Sequence, residues 1–137
     1  MGTRARIGIQ LQNNTVLSAY HHWDGYPEWL GVTLQEQYNS REKAGKLIDG
    51  GNMSTCWADE VWGSKLPEGE YSPEYYTARG EKLEDNEPRF DDSMIDYLTK
   101  DNNEEYAYIM TLKGEWKCLK MNQFNDSDPE PVEIPAS

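Results

Sequence analysis

Apolar positions alternate from Arg4 to Leu11, with Ile7, Ile9 and Leu11 on one side and Gly8 and Gln10 on the other. A period of two predicts a half-buried strand. Asn13-Asn14 then supplies a turn, because Asn tolerates the left-handed backbone. Val16 to His22 reads as the returning strand, so residues 4–22 form a hairpin. Asp24-Gly25 breaks it, and Pro27 suits the first turn of a helix, where its missing N–H costs nothing. Leu30, Leu34 and Tyr38 recur every four residues and predict a helix over 28–38 with one apolar stripe. Ser40 is placed to cap a second helix over 41–49, packing through Ala44, Leu47 and Ile48 and stopped by Gly50-Gly51. A short strand is expected over 53–57.

From Gly63 to Pro88 the period is lost. Pro67, Pro73 and Pro88 lie among Gly, Glu and Tyr, which predicts a long surface excursion with at most short strands. Asp91 or Asp92 is placed to cap a short helix through Ile95 and Leu98, with Phe90 as its hydrophobic staple. Segments 106–112 and 115–121 flank Lys113-Gly114 as a second hairpin. From Asn122 the chain is acidic and carries Pro129, Pro131 and Pro135, so 122–137 is expected to be a disordered tail. The predicted fold is therefore α+β: an antiparallel sheet of four to five strands in two hairpins, with two to three helices on one face, forming a single domain over residues 1–121. The strand–helix–strand alternation of a doubly wound parallel sheet is missing.

Composition changes this picture in one respect. Only 36% of residues are apolar, yet the chain has five Trp, nine Tyr and two Phe. The core is expected to rest on large rings, each burying on the order of 150–250 Å². A net charge of −12 repels phosphates and anionic membranes. Direct nucleic-acid binding is thus not expected, nor is membrane association, since no apolar run reaches spanning length. Cys56 and Cys118 lack metal-ligand or redox spacing and read as small buried hydrophobes of a cytoplasmic protein.

The chemistry concentrates in Tyr20-His21-His22-Trp23-Asp24-Gly25-Tyr26-Pro27. Adjacent histidines on a strand point to opposite faces, so only one can serve a site. His22 and Asp24 share a face, as an imidazole steered by a carboxylate would. No third ligand accompanies them, so neither a metal nor any other cofactor is expected. As a general base, His22 would need a nucleophile, and none of Thr3, Thr15 and Ser18 sits in a nucleophile elbow. The rings Tyr20, Trp23, Tyr26 and Trp29 make the stronger binding argument, since flat faces stack on planar ligands for about 1–3 kcal/mol each. Arg4 and Arg6 share a face of the neighbouring strand and can hold a phosphate or carboxylate. The plainer reading is that these rings pack the first helix onto the hairpin while the arginines pair with surface acids. Glu81, Glu84, Asp85, Glu87, Asp91 and Asp92 likewise read either as a docking strip for a basic protein or as a solvated loop edge.

The opening Met1-Gly2-Thr3-Arg4-Ala5-Arg6-Ile7, with the Tyr20–Pro27 element, resembles a group of small uncharacterised proteins of bacteriophages and some bacteria. These begin Gly-Thr-Arg-Ser and carry Tyr-x-His-Trp-Asp-Gly-Tyr; this chain has Ala5 in place of the serine. The match covers roughly the first third of the chain and implies an origin rather than a mechanism. The resulting expectation is a phage accessory protein that binds a host protein or a host defence component through the aromatic pocket at residues 20–29, with a small anionic planar ligand as a further candidate. Two alternatives stand beside it. One is a nucleotide-directed hydrolase using His22 and Asp24. The other is an acidic nucleic-acid mimic that inhibits a host enzyme.

Overall fold

The computed structural model describes residues 4–23, 25–56, 60–61, 64–65, 73, 75–77, 80–82, 84, 86–99, 105–120 and 130–134. In chain order the strands are β1 (Ala5–Gln10), β2 (Val16–His21), β3 (Glu60–Val61), β4 (Ser64–Lys65), β5 (Arg89–Asp91), β6 (Tyr106–Met110), β7 (Trp116–Lys120) and β8 (Glu130–Val132). A π-helical turn at Pro27–Gly31 runs into α1 (Val32–Gln37), followed by α2 (Arg41–Asp49) and α3 (Met94–Thr99). The class is α+β, as expected.

Both predicted hairpins form, at the Asn13-Asn14 and Lys113-Gly114 turns, and their turns are built alike. Leu11 N donates to Thr15 O at 2.8 Å and Asn14 N to Leu11 O at 2.9 Å; Thr111 N donates to Glu115 O at 2.9 Å and Gly114 N to Thr111 O at 3.0 Å. The fourth residue is left-handed in both, with φ of 65° at Asn14 and 84° at Gly114. This is the three-residue hairpin loop that Asn and Gly favour.

The sheet departs from expectation in size and direction. Six strands run in the order β5-β2-β1-β6-β7-β8. The central pair β1–β6 is parallel, with Ala5 opposite Tyr106 and Ile9 opposite Met110, so the sheet is mixed rather than antiparallel. Each hairpin satisfies only one edge of its first strand, and joining the two first strands leaves neither edge bare. Within the stretch expected as a tail, Glu130–Val132 pairs with β7.

The helices also do not share one face. Ala5, Ile7 and Ile9 pack with Leu30, Leu34, Ala44, Leu47 and Ile48 on the first face, together with Tyr108 and Met110. On the second face, Val16, Ala107 and Ile109 pack with Tyr97, Met94 and Leu98 of α3. Gly8 permits this second layer, because a Cβ there would lie 2.9 Å from the Tyr97 ring. Full burial of Ile7, Leu30, Leu34, Leu47 and Ile48 contributes roughly 1.5–3 kcal/mol per side chain.

Helix ends follow local chemistry. Ser40 Oγ accepts from Lys43 N at 3.2 Å, as a cap should. Gly51, at φ 86°, provides the left-handed stop after α2. At α3 the cap is Ser93, whose Oγ accepts from Asp96 N at 3.1 Å. Asp91 is instead fully buried in β5, and Phe90 is exposed rather than stapling the helix. Much of the expected 63–88 excursion lies outside the described residues. Within it, Tyr75 returns to the body, donating from its hydroxyl to Leu47 O at 2.7 Å.

Candidate functional site

Strand parity decides where each candidate goes. Arg6 pairs with Tyr20 and Gly8 with Ser18 across β1–β2, placing all four on the second face. Ala5 pairs with His21 on the first face. The adjacent histidines are thus divided, as the sequence requires. His21 is fully buried, and burial, with His22 beside it, lowers its pKa to about 3. It is a neutral core imidazole at ordinary pH.

His22 is half-buried and forms part of a short chain of rings. Its Nδ1 lies 2.7 Å from the Tyr20 hydroxyl. The Tyr20 ring sits 5.8 Å from the His22 ring, and the Trp23 ring meets His22 edge-on at 4.7 Å and 86°. The backbone beneath is held by residues 52–54. Tyr20 N donates to Asn52 Oδ1 at 3.0 Å, Met53 N to Tyr20 O at 2.8 Å, His22 N to Met53 O at 3.2 Å and Trp23 N to Ser54 O at 3.2 Å. The short strand expected over 53–57 is reduced to bridges at Met53, with His21 on one side and Tyr75 on the other.

The chain then turns under the first face. The Tyr108 hydroxyl donates to Gly25 O at 2.7 Å, and Pro27, Leu30 and Gly31 are buried. Burial drives the Tyr108 phenol far above its ordinary pKa, so it serves as a fixed neutral donor. Tyr26 is half-buried, while Trp29 turns outward at 52% exposure and Trp23 at 44%. Pro27 and Leu30 are the buried side chains of this turn, and Leu30 joins the first-face core. Asp24 lies outside the described residues. The partner seen at His22 Nδ1 is the Tyr20 phenol.

The arginines separate as well. Arg4 is exposed. Arg6 is only 9% exposed, and its Nε donates to Ser18 Oγ at 2.8 Å. It belongs to a polar row beneath α3 that sequence reasoning missed. Arg89 and Asp91 flank Phe90 on β5, sharing a face, with Arg89 Nε 2.9 Å from Asp91 Oδ2. Arg89 also donates to Tyr97 O at 3.3 Å and lies over the Tyr97 ring at 5.9 Å. The Tyr97 hydroxyl sits 2.7 Å from Tyr108 O and 3.2 Å from Arg6 O. The available signal was the i, i+2 spacing of Arg89 and Asp91, which a helix-cap assignment of Asp91 hides.

Among the described residues, no group of three or more His, Cys, Asp or Glu is placed to hold a metal ion. No helix among them is long and apolar enough to cross a membrane. Cys56 and Cys118 are free and buried. Burial pushes Cys118 up to about 12 and Cys56 higher, which suppresses thiolate chemistry. No family model, curated protein or solved structure matches this chain.

Proposed function

We propose that the protein is a non-enzymatic phage accessory protein that docks on a host protein through the aromatic corner at residues 20–29, with Trp23 and Trp29 as anchors. One observation carries this reading. Two tryptophans stand 44% and 52% exposed on a backbone fixed by Tyr108, Pro27 and the 52–54 segment. Exposed Trp on a rigid support is the side chain most often found at the centre of a protein interface, because its large area is buried at little cost in conformational entropy. The resemblance of the first third of the chain to phage proteins supplies the host context.

A second reading has one observation in its favour. Tyr20, His22 and Trp23 form a ring strip, and exposed Arg4 directly precedes Ala5, which pairs with His21; rings with a cation nearby suit a small anionic planar ligand. A hydrolase using His22 is less well supported, since the group seen at its Nδ1 is a neutral phenol and not the carboxylate that would stabilise a protonated imidazole.

The deciding experiment compares wild type with the Trp23→Ala/Trp29→Ala double variant as bait in host lysate, after melting curves confirm equal folding. Loss of one captured protein from the variant supports the docking reading. Equal capture by both sinks it. Stabilisation by a nucleotide that His22→Ala abolishes, with no protein captured, favours the small ligand.

A further inference from the structure

The far edge of the sheet carries a groove that owes nothing to the aromatic corner. β8 pairs with β7 only from Cys118 to Lys120, opposite Val132 to Glu130. The ladder stops at Val132, and Ile134, on the same face as Val132, closes its side chain on Gly31, 2.9 Å from where a Cβ would stand. Among the described residues, no strand pairs with the outer side of β7 at Trp116 and Lys117. A cavity of about 690 Å³ opens there. A second hollow of about 410 Å³ shares Gln35, Trp116 and Lys117 with it and continues past Glu115 to the Gly114 turn.

The walls come from both faces of the sheet. Met94, Leu98 and Ile109 line the cavity from the α3 side, and Gln35 and Ile134 line it from the other. A ligand lying on one side of a sheet would meet only one of these walls. A strand meets both, because its successive side chains alternate between faces while its backbone bonds the exposed edge. Charge narrows the occupant further. Glu133 lines the groove with Lys117, which itself lies 3.8 Å from Glu115. The local balance is negative in a chain of net charge −12, and an oppositely charged segment is drawn to such a surface.

We infer that this groove takes an extended segment of a partner protein, alternating apolar and basic residues, as an added strand on β7. The inference is independent of Trp23 and Trp29, so the Trp23→Ala/Trp29→Ala variant should bind such a segment as wild type does.

The test is fluorescence anisotropy of the full chain with a short dye-labelled peptide of alternating Val and Lys. Saturable binding is expected, weakened about fivefold by Glu133→Lys, the effect of one surface charge pair. Leu98→Trp, which fills the wall, should abolish it, and the exposed Glu133 site keeps the test alive if Leu98→Trp fails to fold. A Ser–Lys peptide of equal charge binding as tightly would reduce the interaction to charge alone and overturn the inference. Equal binding by a Val–Lys peptide with alternate backbone nitrogens methylated would exclude strand addition. Absence of binding by the unmodified peptide, or wild-type binding by both variants, would refute it outright. Nile red binding that the Val–Lys peptide fails to displace would assign the groove to a small apolar ligand instead.

Discussion

Acidification should destabilise the protein through His21. Its imidazole is fully buried on the first face of the sheet, and its pKa falls from 6.5 to about 3. The unfolded chain takes up a proton at this position below pH 6.5, whereas the folded chain refuses it until near pH 3. Across that window the unfolded state binds more protons, so stability is retained above 6.5 and declines as pH falls. Each pH unit corresponds to roughly 1.4 kcal/mol, giving a loss of about 3 kcal/mol by pH 4.5. That is a large fraction of the 5–15 kcal/mol typical of a domain. The 25 acidic residues complicate a direct measurement, because protonating them also relieves the repulsion in a −12 chain. The comparison is therefore between wild type and His21→Leu, each unfolded in urea from pH 7.5 to 4.5, since carboxylate effects are common to both. The stability difference should move against wild type by about 3 kcal/mol between pH 6.5 and 4.5, following the slope above. A difference that stays flat to pH 4.5 would show that the folded protein accepts the proton, and the buried neutral assignment would be wrong.

Gly51→Ala should be among the most disruptive single-methyl additions. The backbone there has φ of 86°, and a Cβ would run into Asn86 O. Left-handed strain and the clash act together, so thermal unfolding should register a loss of roughly 1–3 kcal/mol or more. Gly114→Ala, left-handed but with open space around the Cβ position, should lose only the smaller conformational part, about 1 kcal/mol; equal losses at the two sites would contradict this account. Tyr97→Phe removes the hydroxyl that holds α3 to the Tyr108 and Arg6 carbonyls. A buried bond of this kind is worth about 1–2 kcal/mol, and the urea midpoint should fall accordingly with the far-ultraviolet spectrum unchanged.

Local rules carried most of the fold. The hairpins, the Ser40 cap, the Gly51 stop and the division of His21 from His22 all follow from neighbours within a few residues. Two features escaped because they depend on distant partners. The parallel β1–β6 pair joins Ala5–Ile9 to Tyr106–Met110, far apart in sequence, and no short-range pattern encodes which edges meet. Placement of α3 on the second face had a signal that went unread: Tyr106-Ala107-Tyr108-Ile109-Met110 is a continuous apolar run, and all but Tyr106 are buried. Such a run marks a strand covered on both faces. The candidate site was legible as a location, but the exposure of individual rings was not. Whether Trp29 or Leu30 faces inward depends on how the π-helical turn docks under Tyr108, which the spacing of four cannot fix alone.

The two hairpins also explain why Arg6 is occupied. Each hairpin has its first strand inside the sheet and its second outside, with the same turn, and the inner strands run in the same direction. Two like hairpins can be set side by side in this way only by a half-turn about an axis along the strands, which turns one of them over. Accordingly Ile7 and Ile9 face α1 and α2, whereas Ala107 and Ile109, at the corresponding positions before the second turn, face α3. Each face then carries a helical layer over the centre of the sheet. Polar side chains on the outward positions of β1 and β2, which a single helical layer would leave solvated, are buried under α3 and must find partners within the protein. Arg6 finds Ser18, and on the neighbouring β5 Asp91 finds Arg89. A cation held this way contributes to the second core layer, and exchanging its partners for a ligand would leave Ser18 and its surroundings to bear the cost. The docking reading proposed above accordingly rests on side chains outside the sheet's covered area, and at this end of the molecule Arg4, Trp23 and Trp29 are exposed.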